Sequence, residues 1–545
     1  MKKLVYGALI FVATLHTQAQ TNSRISQLAT LGKVWGFLKY YHPAVAKGKP
    51  DWDSVLLQMI PLVEEVKTGK ALDSLFDSWY RSLPTATLSV TRVNWKADSL
   101  IRIFTEKDIQ QFRVSAWLKK ELVRLYQYHM PDTNRYATRY YGGYYYDHII
   151  HDEAAFDKPA CPMQPVRLLT LFRYWNTINY FYPHKDHLPA WDTVLTGYIP
   201  RFLQADNAAQ YQYVVRQLIH ELRDSHSFYQ PRGLYFTPFH VDYIERKYLI
   251  TDCNDSIAKK WDYRPGDEII AVNGKDCRQR EKELLAVTTG TNSLSLYRNI
   301  AYELLRGEDS VVQVGFKRNG NVFTKTVGML GFDAYLQIAK LAEKPLWQQL
   351  DKGIWYVRFC RITNADTLRQ LFSDIRQAKA VIWDMRDYPN FKVTTELYKY
   401  FFPAKTLFAE LRNSWDYYPG TFVKSPMHFI PEGREELIYN GPLIVLIDEH
   451  TQSLAESVAS ALKVRTNTIT MGRQTAGTTG NITWLTLPGG IEVSYTGVGV
   501  AGAQRSFREV KGVQLDIPVT LDQAGIMQRR DYILEQAMQY ARKYY

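Results

Sequence analysis

Ser453 has the sequence surroundings of a serine nucleophile. The apolar run LIVLI at 443–447 predicts a buried strand, and LAESVASAL at 454–462 predicts a helix that begins directly after Ser453. A hydroxyl at such a turn lies beside the backbone N–H groups of the helix N-terminus, which favour a developing oxyanion. The competing interpretation is a helix cap, with Glu456 three residues later completing a capping box. This segment alone favours the cap.

A general base is offered by the segment ELRDSHSFY at 221–229, which contains Ser225 and His226. Histidine is neutral near pH 7 and can accept a proton from a serine hydroxyl. The segment ends the second of two related helical copies, whereas the corresponding end of the first, YRSLPTATL at 80–88, has no histidine. A packing role shared by both copies therefore explains this histidine less well. Further along the chain, Glu509 supplies a carboxylate.

The two helical copies form an internal repeat. Residues 28–43, LATLGKVWGFLKYYHP, match residues 168–183, LLTLFRYWNTINYFYP, at a constant offset of 140. After a one-residue shift the match continues from DWDS at 51–54 to AWDT at 190–193. Apolar residues recur at three- and four-residue spacing, and a proline ends the first helix of each copy. The pattern predicts a duplicated α-helical domain in which each aromatic stripe is buried.

Beyond the helical copies the pattern changes twice. RPGDEIIAVNGK at 264–275 places a Pro-Gly turn before an apolar strand and an Asn-Gly turn after it, which predicts a β domain. From about residue 345 to the end, apolar strands alternate with helices, as is typical of an α/β core. The predicted fold class is therefore multidomain α/β.

Composition and the N-terminus predict an exported globular protein. The chain has 545 residues, of which 46% are hydrophobic and 22% charged, and this length is too great for one hydrophobic core. The formal charge of +12 is dispersed, so nucleic-acid binding is not expected. Residues 1–20, MKKLVYGALIFVATLHTQAQ, have the features of a cleaved secretory signal. We expect a periplasmic or secreted protein without an integral membrane segment.

Neither a metal site nor a cofactor is predicted. The four cysteines lie at no metal-ligand spacing, although pairing of Cys253 with Cys277 is left open because both fall in one small module. HIIHDE at 148–153 combines histidines with carboxylates, yet it lies in a turn-rich stretch without the spacing of a specific metal site. A tyrosine-rich surface loop is the favoured interpretation there.

Four motifs resemble those of the C-terminal processing peptidases and the tricorn core peptidase. They are DMRDYP at 384–389, TQSLAE at 451–456, GRQTAG at 472–477 and GVQLDI at 512–517. GDEIIAVNG at 266–274 is similar to the signature of the PDZ domain that precedes the core in these families. The resemblance covers roughly residues 220–545. It implies a crotonase-like, ClpP-like α/β peptidase core and a PDZ-like β domain that binds extended peptide segments.

The resemblance also implies roles for individual residues. The processing peptidases carry a lysine base at the position occupied here by Thr478, which excludes a Ser/Lys dyad at this place. The tricorn branch instead uses a Ser-His pair ahead of the PDZ module and a glutamate ahead of the last motif. Carried over, this implies Ser453 as nucleophile, His226 as base, and Glu509 acting through Ser225 to orient and stabilise the imidazolium.

The implied oxyanion hole has two backbone donors. One is the N–H of Leu454, and the other comes from the 387–390 turn, with Tyr388 and Asn390 as candidates. The family usually has glycines in that turn. Asn390 can adopt the φ values of a glycine, though less readily than Gly does.

These patterns predict an exported serine endopeptidase that cleaves proteins or peptides through a Ser/His/Ser/Glu tetrad. Its expected partner is a polypeptide substrate, with the PDZ-like domain as a candidate binding region, and the oligomeric state is left open. The alternative is a catalytically inactive peptide- or ligand-binding protein on the same fold, which the altered 387–390 turn supports. An esterase-type hydrolase is disfavoured because no Gly-x-Ser-x-Gly motif is present. The predicted domains are a signal peptide at 1–20, the first helical copy with its connecting segment at 21–130, the second copy at 131–232, the PDZ-like domain at 233–330 and the peptidase core at 331–545.

Overall fold

The computed structural model divides the chain into two compact units. The first is Met1–Glu221 with Arg412–Ser425 and Ile482–Val498, and the second is Leu222–Leu411 with Pro426–Asn481 and Gly499–Tyr545. Ser225 and His226 thus belong to the second unit, and the other predicted domain boundaries stay predictions. The structure describes residues 2–86, 88–89, 99–128, 134–141, 146–150, 156, 159–230, 234–335, 345–415, 418–429, 438–502 and 512–545.

The first unit is largely helical. In both sequence-related copies the first helix ends just ahead of a proline, because proline cannot continue the i to i−4 hydrogen bonds. Among the residues that the structure describes, no helix combines the length and apolar character needed to cross a membrane. The helices of this unit are Lys2–Tyr41, Pro43–Ala46, Trp52–Glu65, Gly69–Ser82, Glu106–Gln110, Ala116–Gln127, Gln164–Phe181, Trp191–Gln204 and Ala208–His220, with a 3₁₀ turn at Lys185–His187.

Each copy is closed by a reciprocal pair of tryptophans. In the first copy, the Trp35 indole donates to the Trp52 carbonyl at 2.9 Å, and the Trp52 indole donates to the Trp35 carbonyl at 3.0 Å. In the second copy, Trp175 and Trp191 make the same two bonds at 2.9 and 3.1 Å. All four rings are buried. The prediction that the aromatic stripes form core is confirmed.

Later segments of the chain complete the first unit. Strand Leu100–Arg102 pairs antiparallel with residues 421–423 of strand Thr421–Phe429, and Ile482–Leu487 pairs with Ile491–Thr496. The Tyr211 hydroxyl, for example, donates to the Pro488 carbonyl at 2.7 Å. The helical copies are therefore held in part by residues far along the chain.

The predicted tyrosine-rich loop is partly wrong. Strands Ala137–Tyr141 and Tyr146–Ile150 form an antiparallel hairpin, and His148 is buried against the Phe181 ring rather than exposed. Alternating residues let such a hairpin bury one face, which the tyrosine count did not reveal. Residues 151–153 lie outside the described part of the chain.

The second unit begins with an antiparallel sheet. Its apolar core is formed by strand side chains and by helix Ser293–Leu305. In order across the sheet, its strands are Asn321–Gly328, Val311–Arg318, Glu268–Val272, Lys247–Cys253 and Phe239–Ile244, with Lys275–Asp276 beside Glu268–Val272. Helices Asp255–Trp261 and Cys277–Leu285 complete this region. Cys253 and Cys277 are both free, so the pairing left open by the sequence is not formed.

A mostly parallel sheet forms the core that carries the predicted nucleophile. Its central strand, Leu443–Ile447, is fully buried and runs parallel to Ala380–Asp384 on one side and Thr468–Gly472 on the other. Across the sheet the strands are Trp347–Asp351, Ile354–Val357, Ala380–Asp384, Leu443–Ile447, Thr468–Gly472 and Ile517–Pro518. The predicted multidomain α/β class is confirmed. The remaining elements are helices Ala365–Ile375, Phe391–Leu397, Leu454–Leu462, Gln523–Met527 and Tyr532–Tyr544, the 3₁₀ turns Phe359–Arg361 and Tyr398–Tyr400, and strands Tyr229–Gln230, Thr406–Ser414 and Gly499–Gly502.

Candidate active site

Ser453 occupies a strained position between the central strand and a helix. Its backbone has φ 58° and ψ −117°, in a region that residues other than glycine rarely adopt, and helix Leu454–Leu462 starts at the next residue. Such a conformation costs on the order of 1–3 kcal/mol and persists only where the surrounding structure imposes it. Other hydrolases present a nucleophilic serine on a sharp, strained strand-to-helix turn of this kind.

The helix-cap interpretation of Ser453 is wrong. Its side chain makes no capping hydrogen bond, and Glu456 does not complete a capping box. Instead, Glu456 turns inward and accepts from the Thr475 hydroxyl at 2.6 Å, the Gly477 N–H at 2.9 Å and the Thr478 N–H at 2.8 Å. Burial raises the pKa of Glu456 to about 7, against the opposing effect of these bonds. This carboxyl group thus fixes the turn that follows the neighbouring strand.

That turn brings Ser225 to the vicinity of Ser453. The Thr478 carbonyl accepts from the Ser453 N–H at 2.9 Å, and the Thr478 hydroxyl accepts from the Ser225 N–H at 3.3 Å. Ser225 is fully buried, and its Oγ accepts from the Thr291 N–H at 3.0 Å and donates to the Ala476 carbonyl at 3.4 Å. Thr478, at the position where the processing peptidases carry lysine, is therefore a structural link between two predicted site residues.

His226 is completely buried beside Ser225. Its backbone N–H donates to Asp224 Oδ1 at 2.9 Å. Burial lowers the pKa of His226 to about 4, an effect that Asp224 opposes and Arg298 increases. The imidazole is consequently neutral at pH 7, which is the form that can accept a proton. Among the described residues, no hydrogen bond joins His226 to Ser453 Oγ.

Arg298 and Gln452 connect these pieces, and sequence reasoning missed both. From helix Ser293–Leu305, Arg298 donates to the Glu449 carbonyl at 2.5 Å and to Gln452 Oε1 at 2.6 Å. The amide of Gln452 in turn donates to the Ser225 carbonyl at 3.2 Å. The three bonds span 151, 154 and 227 positions of the sequence, so no local pattern signals the connection.

The predicted oxyanion donors differ in availability. The Leu454 N–H makes no hydrogen bond to the described residues, because the first N–H groups of a helix have no partner within it. This donor is therefore available to a substrate oxyanion. The Tyr388 N–H already donates to Asp387 Oδ1 at 2.8 Å. Asn390 has φ −77° and caps helix Phe391–Leu397 through its side chain, so it does not use the glycine-like φ region. Glu509 lies outside the described residues.

The comparison with protein families agrees with this geometry. Residues 334–519 match Peptidase family S41, a stretch that includes Ser453, Thr478 and Glu509 and follows His226. The predicted resemblance to a peptidase family is confirmed for this stretch of the chain. The predicted enzyme class, a peptidase, agrees with this match. No curated protein matches the sequence.

Solved structures share the fold at low sequence identity. Mature CPAF in complex with lactacystin aligns with a TM-score of 0.53 and 14% identity, over 70% of this chain and 99% of CPAF. A second structure, of mature CPAF, aligns with a TM-score of 0.52 and 14% identity, over 71% of this chain and 98% of CPAF. The likeness extends well beyond residues 334–519, and at this identity it concerns the fold alone.

Proposed function

We propose that this protein is an exported serine endopeptidase in which Ser453 is the nucleophile and His226 the general base. The observation that carries the proposal is the strained backbone of Ser453 directly before helix Leu454–Leu462. A helix cap does not need that strain, whereas presentation of a nucleophile does. The network through Thr478 and Gln452, which brings the Ser225–His226 segment to this turn, supports it further.

The proposed reaction follows the serine peptidase scheme. Neutral His226 takes the proton of Ser453 Oγ as the oxygen attacks the substrate carbonyl, and the Leu454 N–H donates to the resulting oxyanion. The imidazolium then protonates the leaving amine, which yields an acyl-enzyme and a free amino end. Water, deprotonated by the same imidazole, hydrolyses the acyl-enzyme and restores Ser453. In this scheme Glu509 acts through Ser225 to stabilise the imidazolium.

Because no hydrogen bond joins Ser453 Oγ to His226, the proposal requires the two groups to approach when substrate binds. Catalytic hydrogen bonds are often long before substrate is bound, so the geometry described here is compatible with that step. The loops that carry both residues are linked through Gln452, whose amide donates to the Ser225 carbonyl.

A fluorophosphonate probe tests the nucleophile directly. Labelling of the full chain should disappear in Ser453→Ala and fall in His226→Ala. Ser457→Ala is the matched control, because Ser457 lies one turn along the same helix and its hydroxyl bonds to Thr479 Oγ1 at 2.6 Å. Absence of labelling in folded wild type, or equal loss in Ser457→Ala, contradicts the proposal.

The substrate class is tested separately from the nucleophile. A casein or peptide-library digest analysed by mass spectrometry should show cleavage by wild type and none by Ser453→Ala. Cleavage of small esters without any peptide cleavage would refute the proposed peptidase activity but not the role of Ser453 as nucleophile.

The second candidate function is an inactive binding protein on the same fold. One observation favours it: the Tyr388 N–H, a candidate oxyanion donor, is occupied by Asp387 Oδ1. Asp387→Ala removes that acceptor and distinguishes the two functions. If the protein is an enzyme, probe labelling of Asp387→Ala equals or exceeds that of wild type. If it is an inactive binding protein, neither wild type nor the variant is labelled.

We also propose that polypeptide segments bind at a PDZ-like groove in the antiparallel sheet region. Strand Phe239–Ile244 and helix Ser293–Leu305 line a pocket there, with His240, Ala301 and Leu305 among its walls. An extended peptide fits such a strand-and-helix groove by strand addition. Leu305→Arg should weaken binding of a fluorescent peptide derived from a cleaved substrate, and unchanged affinity would refute this role.

Export is proposed from the sequence of residues 1–20. The N-terminus of the mature protein should lie at or near residue 21, with the protein in the periplasm or medium. Edman sequencing of the protein purified from its native compartment tests this. A mature chain that still begins at Met1 and remains in the cytoplasm would refute it.

A further inference from the structure

Three metal-ligating side chains converge in the second unit, outside the proposed catalytic residues. Asp242 lies on strand Phe239–Ile244, while Glu449 and His450 lie in the turn that follows the central strand Leu443–Ile447. One possible ligand atom from each lies within 4.8 Å of the others. Asp242 Oδ1 and His450 Nε2 are 2.8 Å apart.

Each of these side chains is held by a partner through its other polar atom. The Thr251 hydroxyl donates to Asp242 Oδ2 at 2.6 Å. Arg473 pairs with Glu449 Oε1 at 3.0 Å. The Tyr302 hydroxyl lies 3.3 Å from His450 Nδ1 and can accept from it. Such outer partners orient ligands and fix the histidine tautomer in metal sites.

The remaining atoms are Asp242 Oδ1 and His450 Nε2, which share a hydrogen bond, and Glu449 Oε2. Of these, Glu449 Oε2 is buried, has no hydrogen-bond partner and belongs to a residue only 4% exposed. A carboxylate oxygen buried in this way costs free energy unless a cation or donor meets it. Glu449 lies close enough to Asp242 and His450 for the three residues to share one ion.

We propose that Asp242, Glu449 and His450 bind a divalent transition-metal cation, with Zn²⁺ the best match. Two carboxylate oxygens and one imidazole nitrogen are ligands that Zn²⁺ takes in proteins, and water supplies the fourth position. Ca²⁺ and Mg²⁺ prefer sets made of oxygen alone, so the histidine selects against them. On binding, the ion displaces the proton shared by Asp242 and His450, and that proton goes to solvent.

The ion would join two elements that matter for the proposed catalysis. It ties strand Phe239–Ile244, which lines the pocket of the antiparallel sheet, to the turn that ends at Ser453. The metal is structural in this proposal, because none of its ligands is a proposed catalytic residue. It is expected to stabilise the turn and to raise the melting temperature of the second unit.

Zn²⁺ titration of the chelator-treated full chain tests the site. Isothermal titration calorimetry in the presence of a competing chelator should find one site per chain in wild type. Glu449→Gln keeps an acceptor for Arg473 but loses the ligand charge, and Asp242→Asn does the same beside Thr251; each should weaken binding at least tenfold. His187→Gln is the matched control, because His187 lies 3.6 Å from Asp186 without a third ligand among the described residues.

Each outcome decides the proposal. The proposal is overturned if wild type shows no Zn²⁺ site that competes with the chelator. It is also overturned if Glu449→Gln and Asp242→Asn bind Zn²⁺ as tightly as wild type, or if His187→Gln weakens binding as much as they do. Equal affinity for Ca²⁺ would overturn the choice of metal class. If a ligand variant fails to fold, Co²⁺ bound to wild type should still give the visible spectrum of a four-coordinate N/O site, and a six-coordinate spectrum counts against the site. These readouts are independent of peptidase activity.

Discussion

The two helical copies of the first unit contain three equivalent helices in the same order, and they contact each other through equivalent residues. Equivalent residues meet directly: Tyr40 and Tyr180, 140 positions apart, pack edge-on with ring centroids 5.3 Å apart. Ion pairs are exchanged as well, since Lys33 of the first copy pairs with Asp192 of the second at 2.7 Å. The equivalent Arg173 of the second copy pairs with Asp53 of the first.

These contacts between the copies are reciprocal, and the residues that differ between the copies show where the reciprocity ends. Where the backbones of two equivalent residues approach closely, their side chains cannot both occupy the space between them. Gly36 faces its own equivalent, Asn176, so closely that a Cβ at Gly36 would lie 1.9 Å from Asn176 Oδ1. Asn176 uses this space to donate to the Gly32 carbonyl at 3.0 Å. The duplicated helices therefore diverged in complementary pairs, and only the second copy leads into the segment with His226.

The largest effect is expected where the copies differ in function. His226→Gln, beyond the end of the second copy, should lower kcat/KM by about 10²–10⁴-fold, because it removes the general base. Ser82→Ala, at the end of the first copy, loses only a bond to the Trp79 carbonyl and should leave kcat/KM within about twofold. Steady-state kinetics on a cleaved peptide measures both. If His226→Gln and Ser82→Ala lower kcat/KM to a similar extent, His226 affects activity through the stability of the fold and not as a general base.

The exchanged ion pairs should differ in their contribution to stability. Asp53→Asn leaves the Arg173 guanidinium, whose side chain is 0% exposed, without its carboxylate and should lower the free energy of unfolding by about 3–5 kcal/mol. Asp192→Asn breaks the equivalent pair where the acid is 47% exposed and should cost about 0–1 kcal/mol. Urea unfolding followed by tryptophan fluorescence measures the difference. Equal costs would show that burial does not separate the two pairs.

The tryptophan pairs, in contrast, should respond alike. Trp35→Phe and Trp175→Phe each leave a buried carbonyl without its indole donor and should each cost about 1–3 kcal/mol. The same unfolding experiment applies. If only one of the two variants lowers the free energy of unfolding, the copy that is unaffected is stabilised mainly by other contacts.

An effect of similar size is expected at the close approach of the copies. Gly36→Ala should lower the free energy of unfolding by about 1–3 kcal/mol through overpacking against Asn176. Combining it with Asn176→Ala should cost less than the sum of the two single changes. Gly69→Ala is the control, since a Cβ there meets nothing within 4 Å. Strict additivity would contradict the proposed contact.

The smallest change is expected from pH. Because burial lowers the pKa of His226 to about 4, the base stays neutral as pH falls from 7.5 to 5.5. Protonation of His226 should therefore lower kcat/KM at pH 5.5 by less than about twofold relative to pH 7.5, after correction for unfolded protein by circular dichroism. A larger loss should follow the titration of Glu456, whose pKa is about 7, and should be absent from Glu456→Gln. A histidine with its ordinary pKa near 6.5 would give roughly a tenfold loss.

Local sequence patterns predicted the elements better than the connections between them. The run at 443–447, the helix after Ser453 and the buried tryptophans follow from periodicity and were predicted correctly. The Ser-x-x-Glu spacing at 453–456 fits both a capping box and an inward-facing Glu456. The structure has the inward-facing form because Glu456 accepts hydrogen bonds from the 475–478 turn, some twenty residues later in the sequence. Arg298 contacts the Ser453 turn across about 150 residues, for which no local signal exists.

The three-segment composition of the first unit has a consequence for how the protein is made. Residues 1–221 leave the ribosome long before residues 412–425 and 482–498, on which their final packing depends. At about 5–20 residues per second the helical copies wait on the order of tens of seconds for their last strands. Vectorial folding from the N-terminus is thus interrupted, and a nascent chain that ends at residue 221 exposes the surface that the missing strands would cover. A chaperone or export factor that binds at that stage would therefore bind an incompletely folded first unit rather than a native one.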